Sequence, residues 1–139
     1  PALALLEARG TRAAPAEDAL PAAQAAYLAH LGELTAREWA LTREERLGQA
    51  RALLAVEAPL AAGAVLHASL ALADTAPNAG ETAVLATLRA HAERLAATAR
   101  AVAEAGDPAA ALDAWQQAAR LTPDEAAGWR ALFHASRAV

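Results

Sequence analysis

The sequence predicts an all-α chain of antiparallel helical hairpins, packed as a bundle or short solenoid. Three observations carry that prediction. Ala fills 47 of 139 positions and Leu 21, and both are strong helix formers. Helix-start signatures recur along the chain, as Thr42-Arg-Glu-Glu45, Asn78 with Glu81, and Asp107-Pro108. No stretch alternates apolar and polar residues with the period of two that marks a strand.

The elements follow in order. Residues 2–9 form a short helix or a tail, and Gly10 to Pro21 is rich in breakers, so 1–21 reads as a flexible tail or linker. Ala22 to Leu34 places Tyr27, Leu28, Leu31 and Leu34 at helical spacing. Thr35-Ala-Arg-Glu38 starts a short turn through Trp39, and Thr42 opens a helix that ends near Glu57, with Leu47, Ala50, Leu53 and Leu54 as its apolar positions. Pro59 suits the first position of the next helix. Residues 59–74 are apolar nearly all round, which predicts a helix at the centre of the packing, covered on every side.

Asn78 with Glu81 caps a long helix over 79–105, roughly 40 Å in length. Leu85, Leu88, Ala92, Leu95, Ala99 and Val102 form a stripe along it. The stripe serves packing inside the chain or a coiled-coil homodimer. Gly106 stops that helix, Asp107 caps the next and Pro108 occupies its first turn. Thr122-Pro-Asp-Glu125 repeats the arrangement for the terminal helix. All 139 residues read as one helical domain.

The C-terminal part resembles the tetratricopeptide repeat, a 34-residue helix-turn-helix unit with a Trp-x2-Leu start, an Ala-x3-aromatic core and a closing Pro. Ala111-x3-Trp115, Ala118 and Pro123 match it, followed by Trp129-Arg-Ala-Leu132. The resemblance covers residues 92–139. Leu95, Thr98 and Val102 depart from it, standing where the family often has Trp, Leu and an aromatic. Stepping back 34 residues from Ala111, Trp115, Ala118 and Pro123 gives Pro77, Glu81, Val84 and Arg89, so no earlier repeat in that register is visible. The helical domain found beside DNA-binding domains in some bacterial transcriptional activators is also similar, although no winged-helix segment accompanies it.

The resemblance implies stacked hairpins with a concave face that holds a peptide or another protein, as an adaptor does. It gives Ala111, Trp115, Ala118, Pro123, Trp129 and Leu132 structural roles. On the terminal helix Trp129, Leu132, Phe133 and Ser136 share one side, expected to be exposed, and Arg130, His134 and Arg137 another. Glu93, Ala96 and Arg100 line the groove from the helix before. Arg100, Arg130, His134 and Arg137 suit an acidic segment or a terminal carboxylate; a merely solvated helix face is the plainer reading. With Trp115 between the paired helices, Trp115→Ala is expected to unfold the C-terminal hairpin.

Other chemistries find little support. Net charge is −4 and no basic run occurs, which weighs against direct nucleic-acid binding. The charge-free stretch Ala58 to Ala73 is shorter than the ~20 residues of a membrane span. The start, PALALLEARG, lacks the pattern of a signal peptide; a cytoplasmic protein is expected. With no Cys, no Glu-x-x-His and no phosphate loop or nucleophile elbow, neither a metal, a cofactor nor a catalytic residue is expected. His67 lies in the most apolar helix, as a buried neutral histidine or as a contact for an apolar ligand. Three readings stay open: an interaction module, a small bundle binding an apolar ligand beside His67, and a helical regulatory domain of a transcription factor.

Overall fold

A computed structural model describes residues 21–29, 41–73 and 75–139. Among the described residues six helices pack together: α1 over residues 21–29, α2 Arg43–Ala55, α3 Pro59–Leu72, α4 Ala79–Glu104, α5 Pro108–Leu121 and α6 Ala126–Ala138. There is no strand among the described residues. The segments 1–20 and 30–40, which carry the expected tail, the end of the Ala22–Leu34 helix, the Thr35–Trp39 turn and His30, lie outside the described residues.

The caps explain most boundaries. Thr42 and Glu45 form a reciprocal capping box on α2, and Asn78 and Glu81 form another on α4. Asp107 accepts from the Ala110 amide at the start of α5, with Pro108 at its first position. The terminal helix is a correction. Thr122 does not cap it: the Thr122 hydroxyl donates back to the Ala118 carbonyl, and the residues after it make a turn closed by Glu125 N–H to Thr122 C=O at 3.0 Å. Helix α6 begins only at Ala126. The three-residue delay frees the Pro123 carbonyl, which accepts from the Trp129 indole at 2.8 Å and from the Gln24 amide of α1.

Two hairpins, α2–α3 and α4–α5, share one turn. After α2, the Glu57 amide donates to Leu54 and the Ala58 amide to Leu53; after α4, the Gly106 amide donates to Ala103 and the Asp107 amide to Val102. Each is the paired hydrogen bond of a Schellman motif. Glu57 and Gly106 hold the left-handed position, with φ of 58° and 87°. Pro then opens the next helix in both, at Pro59 and Pro108. Ala62, Leu66 and Ser69 stand to Pro59 as Ala111, Trp115 and Ala118 stand to Pro108. All but Trp115 are buried. The start of α3 therefore matches the start of α5, at a spacing longer than the 34-residue step because α4 is 26 residues long.

Helix α3 packs on α2, α4 and α5, burying Ala62, Gly63, Leu66, His67, Ala68 and Ser69. It is not covered all round, as its composition suggested: Leu60 and Leu72 are exposed. The α4 stripe is used inside the chain. Leu88, Ala92 and Ala99 are buried, and Leu85 and Leu95 pack against the core formed by α2, α3, α4 and α5. A second core, of Leu112, Ala119, Trp129, Leu132 and Phe133, lies between α5 and α6 and is covered by Ala23 and Tyr27 of α1. Trp115 borders both clusters.

Candidate functional site

A cleft of about 210 Å³ opens between α4 and α6, with α5 beneath. Its α4 wall is the single helix face of Arg89, Ala92, Glu93, Ala96 and Arg100. Trp115 and Ala118 of α5 contribute the floor, and Ala127 and Gly128 the opposite wall. Two local features open it. A Cβ on Gly128 would lie 3.3 Å from Ala119 Cα, so α6 crosses α5 closely and leaves space on its α4 side. The side chains at 92, 96, 118 and 127 are all Ala and fill little of that space.

Charge is placed at both ends. The Arg100 guanidinium lies over the Trp115 ring, 5.4 Å from its centroid, a geometry that attracts a cation to the ring face. At the other end Arg89 Nε donates to Glu125 Oε1 at 2.8 Å. That ion pair joins α4 to the residue preceding α6, and both side chains are well exposed, so it contributes at most about 1 kcal/mol and opens easily. The tie between α2 and α4 is different. Arg43 of α2 holds a fully buried Glu81 of α4 through two hydrogen bonds, of 2.9 and 2.6 Å. The first junction is locked, while the second is a loose clasp over a cleft.

Of the residues singled out in the sequence, Glu93, Ala96 and Arg100 line this cleft together. Arg130, His134 and Arg137 are exposed on α6 but are not among its lining residues; His134 and Arg137 flank the Phe133 ring. Trp129, Leu132, Phe133 and Ser136 do not face a groove. They are buried, and α1 lies over them with Tyr27 5.9 Å from Trp129 between ring centroids. Arg89, Glu125 and Gly128 are cleft residues that the sequence did not single out. Arg89 was findable, since it shares the α4 face of Glu93, Ala96 and Arg100. Glu125 was hidden by its reading as a helix cap.

His67 lines neither this cleft nor the other one described below. It is buried, and its Nε2 lies 3.0 Å from the Leu121 carbonyl at the end of α5. A carbonyl only accepts, so Nε2 carries the hydrogen. Burial lowers the His67 pKa below its usual value, against the opposing pull of the Leu121 hydrogen bond and the Asp124 charge. Below about pH 6.5 the unfolded chain therefore binds a proton at this site that the folded chain resists, so stability falls with pH from there down to the lowered folded value. In urea unfolding between pH 8 and 5, His67→Gln is expected to lose part of the pH slope that the parent shows.

No protein-family model, curated protein or solved structure matches this chain. Among the described residues no helix is long and apolar enough to cross a membrane.

Proposed function

We propose that this chain is an interaction module that acts by binding, not catalysis, and seats a peptide segment of a partner protein in the α4–α6 cleft. The observation that carries the reading is Trp115. It is half-buried at the cleft floor beneath Arg100, where every neighbouring wall residue on α5 and α6 is small or absent of side chain. A large aromatic left partly uncovered in such a place is a typical anchor for a partner side chain. The cleft volume suits one side chain better than a drug-sized ligand. Arg100 beside it favours an acidic neighbour.

The two matching hairpin turns, with buried small residues at Ala62, Ser69, Ala111 and Ala118, support a tetratricopeptide-like stacking of hairpins. In that reading α4 and α6 flank the concave face, and Glu93 and Arg100 are its contact residues. Arg130, His134 and Arg137 would meet only the outer part of a longer partner.

Selection of a displayed library of random linear peptides on the full chain tests this. Enriched peptides are expected to pair a large apolar or aromatic residue with Asp or Glu. Trp115→Ala is expected to weaken them by about 2 kcal/mol or more, and Arg100→Ala to reduce the preference for acid. Selected peptides that bind both variants as they bind the parent would overturn the proposal.

A further inference from the structure

A second cleft, of about 430 Å³, lies between the α2–α3 turn and the paired helices α4 and α5. Leu60, Leu95 and Leu121 supply its apolar lining, and Glu57, His91 and Gln117 its polar groups. Exposed Val56, at 71%, extends the apolar surface beside the turn. The volume falls within the range of small-molecule sites.

Glu57 is the unusual residue. It occupies the left-handed position of a Schellman turn, where a side chain is strained and Gly is the usual choice. The matching turn of the second hairpin has Gly106 there. The strain at Glu57 is not offset by an internal contact: among the described residues its carboxylate has no hydrogen bond or ion pair. A solvent-exposed carboxylate without an internal partner thus belongs to a conformationally costly residue that lines an apolar cleft.

The other polar groups of the lining are already engaged in hydrogen bonds. His91 Nδ1 lies 2.8 Å from Arg94 Nη2; the guanidinium only donates, so Nδ1 accepts and Nε2 carries the ring hydrogen. The Gln117 amide donates to Asp113. Glu57 is therefore the formal charge of this lining, reinforced by the carbonyl end of α2. The uncapped first turn of α3 contributes a partial positive charge, which one full carboxylate outweighs.

We infer that this cleft is a binding site for a small apolar amine, with the ammonium paired to Glu57 and the hydrocarbon laid over Leu60, Leu95 and Leu121. It is separate from the peptide cleft, whose lining residues it does not share. This occupant is favoured over an apolar acid because Glu57 is the carboxylate of the lining, while the Arg94 guanidinium is engaged by His91.

The test titrates the full chain with a series of primary alkylamines and with the carboxylic acids of matching chain length, followed by backbone and methyl NMR shifts. Saturable amine binding that grows with chain length, and shifts at residues 57–61, His91, Leu95 and Leu121, are the expected result. Glu57→Gln is expected to weaken the amine by about threefold to fivefold, as loss of a solvent-exposed ion pair does. Glu57→Gly is expected to weaken the amine likewise while its thermal midpoint stays level or rises, because Gly relieves the left-handed strain. That combination separates a ligand role from a structural one. The inference is overturned if the parent chain shows no saturable amine binding, if the acids bind as well as the amines, or if either variant retains the parent's affinity.

Discussion

Trp129→Ala is expected to remove about 3–5 kcal/mol of stability, the largest effect of any aromatic replacement among the described residues. The side chain is 1% exposed and sits among Leu112, Ala119, Leu132 and Phe133. Its indole N–H donates to the Pro123 carbonyl, and its ring meets Tyr27 of α1 at a tilt. Truncation leaves a cavity, an acceptor short of one donor and Tyr27 of α1 without its ring partner. Tyr27, whose pKa is raised by burial against the opposing charge of Arg120, should then titrate closer to its usual value. Urea unfolding followed by circular dichroism measures the first effect, and tyrosine absorbance against pH the second. Trp115→Ala should cost clearly less, since Trp115 is only half-buried. The sequence suggests the opposite weighting, because the repeat pattern places Trp115 between paired helices.

The second large effect is expected at Glu81. Its carboxylate is fully buried, receives two hydrogen bonds from Arg43 and a third from the Asn78 amide, and its own amide is capped by Asn78. Arg43 also reaches Thr75 and the Ala76 carbonyl, so one guanidinium fastens α2 to the start of α4. Arg43→Ala leaves the buried Glu81 carboxylate without its partner, a change that costs about 3 kcal/mol. Replacing both Glu81 and Arg43 by Leu is expected to cost less than the single change, because no buried charge is then left alone. A double-mutant cycle by chemical denaturation measures the difference. Hydrogen bonding from Arg43, more than any other cause, holds the Glu81 pKa below its usual value, against the effect of burial. Its stabilisation is therefore present above the ordinary glutamate range and is lost as pH falls through the lowered folded value. Acid unfolding should thus come in two stages, with His67 contributing first and Glu81 at lower pH.

Much of the fold is written locally. Thr42, Asn78, Pro59, Gly106 and Pro108 mark helix ends by chemistry that acts within one turn, and the structure has ends there. What escaped the sequence depends on distant partners. The burial of Trp129 and Phe133 requires α1, which lies a whole chain away in sequence. The Thr122 signature imitates a cap, but Pro123 and Glu125 are engaged by Trp129, Gln24 and Arg89 instead. The relation between the two hairpins was hidden because Glu57 replaces the expected Gly, Leu66 and Ser69 replace Trp and Ala, and the length of α4 breaks the register. Half of the α4–α6 cleft was legible, since Glu93, Ala96 and Arg100 follow from helix spacing alone. Its other wall depends on how closely Gly128 lets α6 approach α5.

The most direct measurement of the central claim is the set of tryptophan indole N–H resonances in the full chain, recorded while a selected peptide is added. The Trp115 resonance, assigned by substitution, is expected to move with saturation while that of Trp129 stays in place. A Trp115 resonance that does not respond, under conditions where the peptide is bound, would contradict the account.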